Sequence, residues 1–262
     1  MYASDDKVIA IDVGNTSLRC GAFASPAALP VPRPDDTLQV AAHELDFDRL
    51  NAWLPTGVYH CYVASVFRAA DKHLREWLRE NRCEMQVTLL RSKDFPIEVD
   101  VKLSDFVGAD RVAAATAAKA LRNPDQPIII VDSGTAITVD AVDRNGRFVG
   151  GAIAPGWHMS ADALHRVTDL LPLVEPVEDA VPPPAIGDDT DAAIRSGLFW
   201  GSIGTVRELI GRLQSELAAD CDVLITGGGA QMLSEHLGGE NVKSFPDLVL
   251  SGIVIAGREL SR

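Results

Sequence analysis

Cysteine is scarce in this 262-residue chain, and its four copies stand apart. Cys20, Cys61, Cys83 and Cys221 form no Cys-x-x-Cys pair, which excludes a zinc ribbon and a disulfide-stapled scaffold. Basic residues are in deficit: 24 Lys and Arg against 37 Asp and Glu leave a net charge of −13. A general nucleic-acid binder would show a basic face, so no nucleic acid is expected as a partner. A few local donors and a cation can still reverse the field inside a cleft, so an anionic small molecule remains open. Apolar runs stop short of a membrane span, so no membrane partner is expected. Met1 to Lys7 is short and acidic and leads directly into a strand, so no secretory signal is expected and the cytoplasm is the default compartment. The histidines (His43, His60, His73, His158, His165, His236) form no His-Glu-x-x-His pair, and no Gly-x-x-x-x-Gly-Lys-Ser/Thr loop occurs. Aromatics are few as well, and abundant Ala and Val must fill the cores, as in α/β enzymes.

What is present is a phrase written twice. Val8-Ile9-Ala10-Ile11 runs into Asp12-Val13-Gly14-Asn15-Thr16, and Ile128-Ile129-Ile130-Val131 runs into Asp132-Ser133-Gly134-Thr135-Ala136. Each copy is a buried-type strand ending in Asp-x-Gly with a Thr close behind. Glycine lets backbone approach a ligand, threonine adds a hydroxyl, and free N–H groups suit phosphate oxygens. The Asp suits a cation, directly or through water. One such turn is equally a plain tight hairpin; two together point to related lobes gripping one polyphosphate.

The rest of the chain alternates strands with helices, which makes the fold class α/β. Strands are expected at 8–13, 17–23, 37–45, 58–66 and 85–90, with helices at 48–54 and 69–81. Ala24 to Asp36 carries four prolines and is a loop. Leu103-Ser104-Asp105 is expected to begin a helix through Leu121, capped by Ser104 or Asp105 and bridging two lobes, 1–121 and 122–262. Further strands are expected at 128–132, 135–142, 148–154 and 221–226. Arg144-Asn145-Gly146-Arg147 makes a hairpin turn between the second and third of these. Helices are expected at 157–170, at 191–217 with a break near Gly201 or Gly204, at 230–237 and at 247–260.

Two further motifs invite chemistry. Gly227-Gly228-Gly229 lies between a strand and a helix, where it is either a ligand turn or a tight βα loop. Gly108-Ala109-Asp110-Arg111 opens the bridging helix. There Asp110 can accept a hydroxyl proton and Arg111 can hold an anionic or polar substrate, or both simply solvate a helix start.

Taken in order, Asp12-Val-Gly-Asn-Thr-Ser-Leu-Arg19, Gly108-Ala-Asp-Arg111, Asp132-Ser-Gly-Thr-Ala136, Gly150-Gly-Ala-Ile-Ala-Pro-Gly156 and Thr226-Gly-Gly-Gly-Ala230 resemble the type III pantothenate kinases, of the acetate-kinase, sugar-kinase, Hsp70 and actin superfamily. The resemblance spans nearly the whole chain. It implies two ribonuclease-H-like lobes with mixed sheets and a nucleotide cleft. The implied reaction is ATP-dependent phosphorylation of pantothenate to 4′-phosphopantothenate, the first step of coenzyme A synthesis. It further implies Mg²⁺, a monovalent cation (K⁺ or NH₄⁺), and homodimers that complete the pantothenate pocket. Carried over by position, Asp12, Val13, Gly14, Asn15, Thr16, Ser17, Leu18 and Arg19 form the first phosphate loop, with Asp12 helping to hold Mg²⁺. Asp132 matches the monovalent-cation ligand, Thr135 an ATP contact, and Gly227, Gly228 and Gly229 a nucleotide turn. Gly108, Ala109, Asp110 and Arg111 match the pantothenate-binding run, with Asp110 as catalytic base, and Thr190 matches a substrate contact. Two positions depart from the pattern. Val101 stands where many members have a substrate-contacting Tyr, with Ser104 replacing a nearby Pro, and Asp189 stands where Asn often precedes the Thr. Another kinase of the superfamily, or a nucleotide-binding regulator without turnover, are the alternatives.

Overall fold

The computed structural model describes residues 7–24, 30–57, 59–175 and 181–261. The chain forms two compact units. Residues 1–123, 146–149 and 247–262 make the first, and residues 124–145 and 150–246 the second.

In the first unit, five strands form a sheet ordered β3-β2-β1-β4-β5. They are β1 (Val8–Val13), β2 (Ser17–Phe23), β3 (Asp36–Ala41), β4 (His60–Ser65) and β5 (Gln86–Leu90). β1, β2 and β3 pair antiparallel, while β4 and β5 run parallel to β1. Strand alternation sends Ile9, Ile11 and Val13 to one face, where they pack with Leu18, Cys61 and Val63. Leu50 of α1 (Phe47–Trp53) and Ala70, Leu74 and Leu78 of α2 (Arg68–Asn81) cover that face. The opposite face, carrying Asp12, meets the C-terminal helix Leu248–Leu260 (α7), which packs on β1 and β4. Two glycines make that packing possible. A Cβ on Gly257 would enter the ring of Tyr62, and one on Gly252 would enter the backbone of Ala113 in α3 (Ala109–Leu121). α3 is therefore buried nearly all round, which explains why Ala113 to Ala118 are small.

The second unit repeats the plan. β6 (Ile128–Ser133), β7 (Ala136–Val142), β8 (Phe148–Pro155), β9 (Asp222–Thr226) and β10 (Val242–Ser244) form a sheet ordered β10-β9-β6-β7-β8. Put β6 in the place of β1 and the two orders coincide. In each, a central strand turns through Asp-x-Gly into an antiparallel partner and pairs on its other side with a parallel strand. Ile129, Val131, Ile137, Val139, Val223 and Ile225 form the core with Phe199, Ile203 and Val206 of α5 (Thr190–Leu217) and Leu233 of α6 (Ala230–Leu237). α4 (Trp157–Val167) lies against α5.

Several elements differ from expectation. β3 stops at Ala41 and α4 at Val167, earlier than expected. α5 runs unbroken through Gly201 and Gly204. Each glycine costs a helix about 1 kcal/mol against Ala. Burying Phe199, Ile203 and Val206 returns about 1.5–3 kcal/mol apiece, so the helix persists. The bridging helix starts late: residues Ser104–Phe106 make one 3₁₀ turn, Val107 is extended, and Gly108 caps α3. Neither Ser104 nor Asp105 caps it. No helix among the described residues is long and apolar enough to cross a membrane.

Candidate active site

The first Asp-x-Gly turn is closed by the Gly14 N–H, which donates to the Ser17 carbonyl at 3.0 Å. A Cβ on Gly14 would sit 3.0 Å from that same oxygen, so a side chain there would crowd the turn. Asn15 and Thr16 are exposed at its tip. Val13 and Leu18 are core residues, so anything they offer a ligand comes from backbone. The Val13 carbonyl accepts the Val66 N–H at 3.0 Å, and Ala42 N–H holds the Thr16 carbonyl at 2.9 Å. Asp12 lies half-buried opposite Arg19 in the β1–β2 register. The Arg19 guanidinium reaches Asp247, the residue before α7, at 3.2 Å. Arg19 therefore faces the same side as Asp12 while being anchored by a carboxylate.

Asp110 occupies the first turn of α3. Its Oδ1 accepts the backbone N–H of Arg111 at 2.8 Å, so the carboxylate folds back over the helix start. Gly108 makes room for it: a Cβ there would collide with Oδ1 and lie 3.5 Å from Val66 Cγ1. Val66 thus links the two motifs, bonded to Val13 at the end of β1 and packed beside Gly108. Burial pushes the Asp110 carboxyl above the ordinary aspartate value. The Arg111 N–H, the Arg111 charge and the residue's own N–H only partly oppose this. The Arg111 guanidinium stands over the Phe148 ring, 5.6 Å from its centroid.

In the second unit three glycine motifs meet around Asp132 to Thr135. Gly134 N–H donates to Ala136 O at 3.0 Å, Gly156 N–H to Thr135 O at 3.2 Å and Gly229 N–H to Ser133 O at 3.0 Å. Gly227 has φ +88°, and a Cβ there would strike Asp132 Oδ1 and the Ser133 carbonyl; one on Gly229 would strike Ser133 Oγ. Gly228 is exposed with open space around it. Ser133 and Gly156, to which the sequence reading gave no role, sit at the centre of this cradle. Both stand inside motifs legible in the sequence, but their contacts are not legible there, because their partners lie far along the chain.

Thr190 is exposed at the first position of α5, also in the second unit. Asp189 is its N-cap, accepting the Ala192 N–H at 2.7 Å. Both line an apolar groove of about 1150 Å³ between α4 and α5, with Pro155, Met159, Leu164, Val167 and Leu198. Val101 is half-buried in the first unit, after the segment that bridges to Phe148. Among the described residues no three His, Cys, Asp or Glu side chains converge as a metal cluster. A cation held there by one or two carboxylates would draw its remaining oxygens from phosphate and water. That donor set fits Mg²⁺, which keeps much of its water.

A profile described as type III pantothenate kinase matches residues 8–212. A type III pantothenate kinase of Gluconobacter oxydans is 38% identical over 216 residues, covering 79% of this chain and 78% of its own. One from Dehalococcoides mccartyi (strain CBDB1) is 32% identical over 272 residues, covering 96% of this chain and 95% of its own. Among solved structures, a candidate 2-dehydro-3-deoxygalactonokinase of Sinorhizobium meliloti is similar in fold, with TM-score 0.55 and 15% identity over 97% of this chain and 99% of its own. With two like sheets, two Asp-x-Gly turns and a family match across most of its length, this chain belongs to the type III pantothenate kinase family.

Proposed function

We propose that the protein transfers the γ-phosphoryl group of ATP to the primary hydroxyl of pantothenate, giving 4′-phosphopantothenate and ADP, with Asp110 as general base. The observation that carries the assignment of the base is its setting. Asp110 is held by the Arg111 N–H at 2.8 Å, beside Gly108, whose neighbour Val66 is bonded to the end of β1, and burial raises its proton affinity. A base with a raised pKa takes a hydroxyl proton more effectively than an ordinary carboxylate. As the substrate oxygen bonds to the γ-phosphorus, its proton passes to the Asp110 carboxylate. The bond from phosphorus to the β,γ-bridging oxygen breaks, and ADP leaves with that electron pair.

Most protein work in such a transfer is positioning and charge neutralisation. The backbone of residues 13–17, the Thr16 hydroxyl, the Thr135 hydroxyl and the turn Gly227–Gly229 hold the nucleotide. Arg111 holds the anionic end of pantothenate, and Thr190 supplies a further contact. Asp12 and Asp132 are the carboxylates that hold Mg²⁺ and a monovalent cation, which offset phosphate charge when bound. The apolar groove beside Asp189 and Thr190, lined by the exposed Met159 and Val167, supports a homodimer that completes the substrate pocket.

The test is ATP consumption with pantothenate against a panel of sugars, with and without K⁺. Pantothenate-dependent turnover stimulated by K⁺ supports the proposal. Turnover on a sugar, or none on anything, refutes it.

A further inference from the structure

We infer that Phe148, which lies outside every motif that marks the site, is the positioning residue for substrate recognition. This rests on the proposed role of Arg111 in holding the anionic end of pantothenate.

Three observations in the first unit converge on Phe148. Its side chain is fully buried, and the Arg111 guanidinium lies over its ring, 5.6 Å from the centroid. Its N–H donates to Glu98 O and its carbonyl accepts the Asp100 N–H, each at 2.8 Å, with Val99 bridging Phe148 in parallel register. Its neighbour Arg147 clamps Asp100 at 2.7 Å. One residue thus presents the face on which Arg111 rests and, through backbone, fixes the segment that delivers Val101.

A cation over an aromatic face is attracted by the ring's electron density. An arginine side chain otherwise has much rotamer freedom, so a platform reduces what substrate binding must freeze. The backbone bonds also bear on the departure at Val101. They hold the approach to that position whatever side chain stands there, so loss of an aromatic residue leaves the loop's path intact. Recognition then depends more heavily on Arg111 and on what supports it.

An interaction that holds a remote, non-reacting part of the substrate acts on ground and transition state alike. Its loss raises KM and leaves kcat in place. The decisive experiment installs mono-, di- and trifluorinated phenylalanine at position 148 of the full-length enzyme, which drains the ring's electron density while keeping its shape. KM for pantothenate should climb with each fluorine, while KM for ATP and kcat stay within about two-fold of the parent. Phe148→Leu should raise KM for pantothenate about 2- to 30-fold. If Phe148→Leu does not fold, the fluorinated series still decides. A flat pantothenate KM across that series, or an equal rise in the ATP KM, overturns the inference. Absence of pantothenate turnover in the unsubstituted enzyme overturns the proposed function instead, and the inference falls with it.

Discussion

Asp110→Asn separates chemistry from stability with one atom. The amide keeps the size of the carboxyl, and its Oδ1 can still accept the Arg111 N–H that now holds Asp110 at 2.8 Å. What it loses is the ability to take a proton. General-base assistance is worth about 10²–10⁴-fold, or roughly 2.7–5.4 kcal/mol of barrier at 1.36 kcal/mol per decade. Turnover with pantothenate should fall by that factor with the ATP KM little changed.

Stability should move the other way or stand still. Burial raises the folded-state pKa of Asp110, so the native state binds its proton more tightly than the unfolded chain does. The stability this contributes is fully present below the unfolded aspartate pKa. It is lost as pH rises through the raised folded pKa. At neutral pH the carboxylate is therefore held at a cost, and Asn removes that cost. Urea unfolding at pH 7 should show Asp110→Asn at least as stable as the parent, and the parent's kcat/KM should show an acid limb displaced above the ordinary aspartate range. Near-normal turnover would refute the base assignment. A loss of more than about 1 kcal/mol in stability would refute the claim that the carboxylate is held at a cost.

Gly227→Ala puts a side chain at φ +88° against Asp132 Oδ1 and the Ser133 carbonyl; it should cost about 1–3 kcal/mol in urea unfolding and raise the ATP KM, and an unchanged ATP KM would remove Gly227 from the nucleotide turn. Arg82 donates to the carbonyls of Asn51 at 2.7 Å and Leu54 at 3.2 Å at the end of α1. Arg82→Ala should therefore lower stability by about 3 kcal/mol while sparing kcat. Asp189→Asn keeps the cap on Ala192 and should leave stability within about 0.5 kcal/mol, whereas Asp189→Ala should cost about 1 kcal/mol by thermal melting. If the two cations divide as proposed, Asp132→Asn should abolish stimulation by K⁺, and Asp12→Asn should raise the Mg²⁺ needed for half-maximal rate; a reversed pattern in metal titrations would exchange the assignments.

Legibility followed the range of the interactions. β1, β2 and α6 could be read to the residue, because hairpin pairing, strand alternation and a glycine turn before a helix are short-range signals. β10 could not: three residues, only one of them apolar, exist as a strand because β9 pairs with them across nineteen positions. The start of α3 was misplaced for a similar reason. Ser104 and Asp105 are good caps by type, but the approach to the helix is fixed from outside, by the bridge between Val99 and Phe148 and by the Ser92 hydroxyl donating to the Val107 carbonyl. The apolar run of α7 reads as a buried helix. That it returns to cover the first sheet, beside β1, is a matter of topology. Site residues behaved alike: Asp12, Asp110 and Asp132 stand out by motif and residue type, whereas the contacts of Ser133, Gly156 and Val66 are set only where distant segments meet.

The two copies of the phrase share sheet order, but their hairpins are offset by one residue: Asp12 pairs with Arg19 and Asp132 with Thr138, so what stands across from each Asp differs. Asp12 is flanked in register by Arg19 and Ala64, and Arg19 is itself anchored on Asp247. Asp132 is flanked by Thr138 and Thr226, and the glycine turn 227–229 presses against it. Cross-strand neighbours share a face, so Asp12 sits beside a fixed positive charge and Asp132 beside neutral hydroxyl oxygens. A divalent ion that keeps its water is served by a single carboxylate that need not surround it. A large monovalent ion is better served by a carboxylate among neutral oxygens in a cradle closed by glycine backbone. The cross-strand residues support assigning the two turns different ions.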